Sequence, residues 1–99
     1  MKSLLTWSNE IKDWRETKGF ETSKENMLGK LMLVVSELAE AAEDVRHEKW
    51  EHFGEEIADT FIRLLDICGS LDINIEKEIE RKMKINWDRP ILHGTKSPI

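Results

Sequence analysis

Four acidic residues fall in two pairs of equal spacing: Glu37 and Glu40 within "SELAEAAEDV", and Glu56 and Asp59 within "EEIADTFIRLLD". A separation of three residues puts both members of a pair on one face of a helix. Glu37 and Asp59 are equidistant from residue 48, and so are Glu40 and Glu56. Two helices running antiparallel about a turn at that position therefore bring the four carboxylates to two matched levels across one groove. Left unneutralised, such groups repel: two unit charges about 5 Å apart interact by about 3 kcal/mol at an effective dielectric near 20. A divalent cation removes that repulsion. Oxygen ligands without imidazole or thiolate among them select a hard ion, Mg²⁺ first, with Mn²⁺ as its substitute. On spacing alone, the same acids also fit the solvated faces of amphipathic helices.

The elements that must position these acids are helical. The hydrophobic period is that of a helix almost throughout, and both prolines lie in the last ten residues, where they break nothing. The pattern predicts an all-α bundle with helices over about 3–18, 24–46, 51–68 and 75–87, the second and third forming an antiparallel helical hairpin, followed by an extended tail over 88–99. Leu4, Trp7, Ile11 and Trp14 form the inward stripe of the first helix, with Gly19 as its stop. Ser23 is the expected cap of the second, whose seam runs through Met27, Leu31, Val34, Leu38, Ala41 and Val45. The third carries Ile57, Phe61, Leu64, Leu65 and Cys68 on one face and is expected to end at Gly69; Asp72 or Asn74 caps the fourth. Glu56 and Asp59 lie nearly opposite Phe61 on the helical wheel, so the third helix must be covered on both sides. That requirement, with 35% charged residues in a chain of 99, predicts a core completed by assembly into a homodimer or homotetramer.

Composition narrows the function classes. The net charge is −5 and the basic residues are dispersed until the C-terminal third, which argues against a nucleic acid polymer as partner. No apolar run approaches the ~18 residues of a membrane span, so no membrane partner is expected. A single cysteine, Cys68, excludes an internal disulfide framework, and the chain reads as cytoplasmic. Lys82, Asn86 and Arg89, at i, i+4 and i+7, form a basic and polar stripe that fits either an ordinary solvated surface or the local charge an acidic protein would need to hold a polyphosphate; Lys30 shares the wheel sector of Glu37 and is a weaker candidate. His93 stands alone in the tail, without a partner at metal-ligand spacing.

"SELAE" and "EEIAD", with fifteen residues between Glu40 and Glu56, resemble the Glu-x-x-Glu … Glu-x-x-Asp signature of the MazG-like all-alpha nucleoside triphosphate pyrophosphohydrolases. "KGF", "ENMLGKLMLVVSELAEAAEDVR" and "EEIADTFIRLLDICGSLDINIEKEIERKMKINWDRP" extend the likeness over most of the chain, as in a compact single-domain member. The resemblance implies that Glu37, Glu40, Glu56 and Asp59 bind Mg²⁺, with Glu37 or Glu40 as the general base. It implies that Lys82 and Asn86, matching the family's Lys-x-x-x-Asn element, approach a nucleoside triphosphate that is hydrolysed to the monophosphate and pyrophosphate. Ser36 departs from the family pattern, which often carries a further Glu there; Glu55 and Glu43 are candidates to replace it. The rival expectation is a non-catalytic oligomeric helical module, for binding or regulation, with an acidic metal-binding groove. A carboxylate-bridged di-iron bundle is disfavoured, because the Glu-x-x-His pairs of such sites are lacking.

Overall fold

The computed structural model describes residues 1–90. All regular structure among them is helical: α1 (Leu4–Thr17), α2 (Met27–Arg46), α3 (Trp50–Ser70) and α4 (Ile75–Trp87). The rest of the expected tail, including His93, lies outside the described residues. No described helix is long and apolar enough to cross a membrane.

Local chemistry sets the ends of the helices. Ser3 Oγ accepts the Thr6 N–H at 3.1 Å and caps α1, while Gly19, at φ 83°, takes the left-handed conformation just past its end. The second helix begins three residues later than Lys24, and Ser23 is not its cap. Asn26 is the reason: its Oδ1 accepts the Ser23 N–H at 2.9 Å and its Nδ2 donates to the Glu21 carbonyl at 2.8 Å, folding this stretch into a turn. Between α2 and α3 the backbone takes a left-handed step at Glu48 (φ 55°), and the Lys49 N–H donates to the Asp44 carbonyl at 2.8 Å. Asn74 Oδ1 caps α4 by accepting the Lys77 N–H at 3.2 Å.

Gly69 does not end the third helix as expected; α3 runs through it. A Cβ at that position would lie 2.6 Å from the Ser8 carbonyl oxygen. The glycine therefore serves close helix approach, letting α1 press its backbone against α3.

α3 is the central element, packed on α2 along one side and on α1 along another, and α4 packs on α1. The Leu4 N–H donates to Glu76 Oε1 at 2.5 Å, fastening the start of α4 to the start of α1. The buried apolar set is small: Ile11, Val34, Ala41, Ile67 and Cys68. Ser8, Thr22, Asp44, Glu56, Thr60 and Asp66 are buried beside it. The hydroxyls of Ser8 and Thr60 donate to the carbonyls of Leu4 and Glu56, each at 2.9 Å, so their burial leaves no donor unmet.

The expected apolar stripes are therefore only partly inward. Phe61 is 58% exposed and Trp14 55%, with Trp7, Leu64 and Leu38 also exposed. α1 and α2 occupy the other sides of α3. Leu4, Trp7, Trp14, Phe61, Ile62 and Leu65 line an open apolar groove of about 580 Å³ between α1 and α3.

Candidate metal centre

Contacts between α2 and α3 join Asp44 to His52 and Glu37 to Arg63, so residue numbers fall along one helix as they rise along the other. In that register three of the four candidate acids come together: single carboxylate oxygens of Glu37, Glu56 and Asp59 all lie within 4.8 Å of one another. Glu40 sits close enough to Glu56 to act on its proton affinity through a hydrogen bond and through charge. Glu56 is the buried member, at 6% exposure, whereas Asp59 and Glu40 are exposed.

Among the described residues, Glu56 Oε2 is buried without a hydrogen-bond partner. Its carboxyl is pushed up to about 7, first by its hydrogen bond with Glu37, then by burial, then by the hydrogen bond and charge of Glu40. Glu37 moves the opposite way. The hydrogen bond from Glu56 holds it below the ordinary carboxylate range against the opposing effect of burial, aided by the Arg63 guanidinium, whose Nε donates to Glu37 Oε1 at 3.0 Å. A proton on Glu56 relieves the like charge around it, as a bound cation would otherwise do.

The cluster adjoins a polar pocket of about 240 Å³ lined by Trp14, Arg15, Glu37, Asp59, Arg63 and Asp66, with Ile11 and Ile62. Arg63 was not a candidate on spacing, although it lies four residues after Asp59 on the same helix. Of the two acids proposed to compensate for Ser36, Glu43 is engaged by Arg46 and lies 3.5 Å from His47, while Glu55 is exposed; neither joins the carboxylate group. The polyphosphate candidates stand elsewhere. Lys82, Asn86 and Arg89 are exposed on or just beyond α4, Lys30 is half-buried on α2, and none of the four contacts an acid of the cluster through a side-chain ion pair or hydrogen bond among the described residues.

Two polar groups escaped the pairing pattern. Asp44, buried, receives His52 Nδ1 at 2.8 Å, and His52 Nε2 lies 3.8 Å from Glu56 Oε1. The available signal was the four-residue spacing of His52 and Glu56, which places them one turn apart on α3. Asp66 is buried further along α3 and accepts from Arg15 Nε at 3.1 Å and Thr22 Oγ1 at 2.6 Å. No family model, curated protein or solved structure matches the chain.

Proposed function

We propose that this chain is a Mg²⁺-dependent nucleoside triphosphate pyrophosphohydrolase of the MazG-like all-alpha type, hydrolysing an NTP or dNTP to the monophosphate and pyrophosphate. The observation that carries the reading is Glu56: a carboxylate buried among acids, with an oxygen that no protein donor reaches. A buried carboxylate without a donor is costly unless something outside the chain satisfies it. The donor set, Glu37, Glu40, Glu56 and Asp59, is all oxygen and fits Mg²⁺, or Mn²⁺ in its place.

When bound, the ion would polarise phosphate oxygens and lower the pKa of a coordinated water. The chain's own residues do the rest. Glu37, kept below the ordinary carboxylate range by Glu56 and then by Arg63, fixes one edge of the site. Glu40, exposed and without an ion pair among the described residues, is free to hold the attacking water and take its proton, with Glu37 as the other candidate base. Arg15 and Arg63 present guanidinium groups to the adjoining pocket. Lys82, Asn86, Arg89 and Lys30 are the proposed triphosphate contacts, reaching it once the assembly closes around the substrate. α2 and α3 act as an antiparallel hairpin, and the apolar groove of Trp7, Trp14 and Phe61 is covered by a second copy in a homodimer or homotetramer. The reading places the enzyme in the cytoplasm, where the lone thiol Cys68 stays reduced.

The test is release of pyrophosphate from a panel of NTPs and dNTPs with and without Mg²⁺. At least one nucleotide is expected to be cleaved, and only with the metal. The exposed apolar groove also suits a non-catalytic oligomeric module, and absence of both cleavage and any Mg²⁺-induced thermal shift would select that reading instead.

A further inference from the structure

The carboxylate cluster does not end at Glu56. The same residue belongs to a second group, with Asp44 and His52, in which one ligand atom from each lies within 4.8 Å of the others. This group contains an imidazole, so its chemistry is not that of the first. His52 Nδ1 faces both oxygens of Asp44, at 2.9 and 2.8 Å. With Nδ1–H donated to that carboxylate, Nε2 is left with its lone pair facing outward, 3.8 Å from Glu56 Oε1. A carboxylate that orients a histidine through one ring nitrogen leaves the other as a directed metal ligand.

The spacing suits an ion. Two ligand atoms each about 2.1 Å from one cation are at most about 4.2 Å apart, so the gap of 3.8 Å admits a bridging ion without moving the backbone. The charge suits one as well. Asp44 and Glu56 are both buried, and neither has a Lys or Arg within ion-pair distance among the described residues. Glu56 is itself more than nine-tenths buried, and among the described residues no donor reaches its Oε2, so the carboxylate common to both groups is not completed by the protein. His52 itself is half-exposed and lines a hollow of about 510 Å³ with Glu48, Lys49, Trp50, Glu51 and Glu55, which opens the position to solvent and sets three acids against one lysine there.

We infer that His52 Nε2 and Glu56 form a second cation position beside the carboxylate cluster, with Asp44 as the positioning residue for the imidazole, and that it takes a borderline divalent transition-metal ion. An imidazole nitrogen is a poor ligand for Mg²⁺ and a good one for Zn²⁺, Co²⁺ or Ni²⁺. Glu56 is then a carboxylate shared by the two groups. The inference uses the geometry around Glu56 and no step of the proposed reaction, so it stands or falls separately from the pyrophosphohydrolase reading.

The experiment is a Zn²⁺ titration of the full chain, followed by nitrogen NMR of the histidine rings in the presence of excess Mg²⁺. Nε2 of His52 is expected to shift as Zn²⁺ is added, with His52→Gln removing the signal and one equivalent of bound Zn²⁺. Glu56→Gln and Asp44→Asn should each weaken this binding about 10- to 100-fold, whereas Asp59→Asn, which touches only the other group, should leave it in place. Circular dichroism of each variant verifies that the helices persist. A His52 ring unmoved by Zn²⁺ would reduce the Asp44–His52 contact to an ion pair and overturn the site. So would a Zn²⁺ shift that survives Glu56→Gln at full affinity, because the ion would then sit on His52 alone. Pyrophosphate release with Mg²⁺ has no bearing on either outcome.

Discussion

Asp66 and Glu56 are carboxylates of one helix, buried to nearly the same degree at 8% and 6% exposure, yet they are treated in opposite ways. Asp66 is completed from within the chain. Arg15 Nε donates to both its oxygens, Thr22 Oγ1 reaches Oδ2 at 2.6 Å, and Ser70 Oγ contacts Oδ1 at 3.3 Å. Arg15 in turn donates to Ser70 and to the Phe20 carbonyl, at 2.7 and 2.9 Å, so one guanidinium ties α1, the following loop and α3 together. Glu56 meets Glu37, Glu40 and Asp59 instead, with His52 as its nearest cationic group and one oxygen left without a donor. A buried charge with every lone pair satisfied is a structural joint; one surrounded by like charge marks a place kept for a ligand.

Paired amide substitutions put this contrast at risk. Glu56→Gln is expected to lower Mg²⁺-dependent pyrophosphate release at least about 100-fold, while the metal-free protein keeps or raises its melting temperature, since a repelling carboxyl has been removed. If Glu56→Gln instead lowers the melting temperature sharply, Glu56 is a structural residue like Asp66 and the contrast dissolves. Asp66→Asn has the next largest effect and the opposite pattern. Breaking a buried pair from one side costs about 3–5 kcal/mol, a fall of roughly 15 °C or more in a domain of this size. At temperatures where the variant is folded, its Mg²⁺ affinity should match that of the wild type.

The difference between the two carboxylates also explains what could be read from the sequence. The pairing of Glu37 with Asp59 and of Glu40 with Glu56 follows from helical period and from distance to residue 48, both of which are local. The network of Asp66 is not local: Arg15 lies 51 residues away, and Thr22 44 residues away on a loop with no helical period. Apolar period located the helices but only in part what faces inward on α3, where Cys68 of the expected stripe is buried and Ile57 and Leu65 are half-buried. The stripe through Phe61 and Leu64 is exposed, and Glu56, Thr60, Asp66 and Ile67 are buried. A hydrophobic period tells that a face must be covered; it does not tell whether the same chain covers it. Helix ends failed where a side chain made a competing bond, at Asn26, and where a glycine served packing, at Gly69.

The smallest effect, and the one that separates a metal cradle from a structural acid most directly, lies in pH. The Glu56 carboxyl, at about 7 rather than 4.5, holds a proton in the folded chain that the unfolded chain releases. Its contribution to stability is therefore complete below its unfolded value and is lost as pH rises through about 7. His52 works in the same direction: its ring is raised above 6.5, chiefly by its hydrogen bond to Asp44, and its contribution also fades as pH passes the folded value. Glu37, lowered, contributes above 4.5 and loses that only in more acid solution, outside this window. The metal-free protein should thus melt at a lower temperature at about pH 8 than at about pH 6. Mg²⁺ must displace the Glu56 proton, so its apparent affinity should fall by up to about tenfold per pH unit below neutrality. Thermal shifts with and without Mg²⁺ at the two pH values measure both effects, and the Mg²⁺ shift should be larger at the higher pH. Glu56→Gln should reduce the pH dependence of the metal-free protein to the share of His52, and Asp66→Asn should leave it intact. A Mg²⁺ shift equal at both pH values would mean that no proton stands in the way of the ion, and that Glu56 is not its ligand.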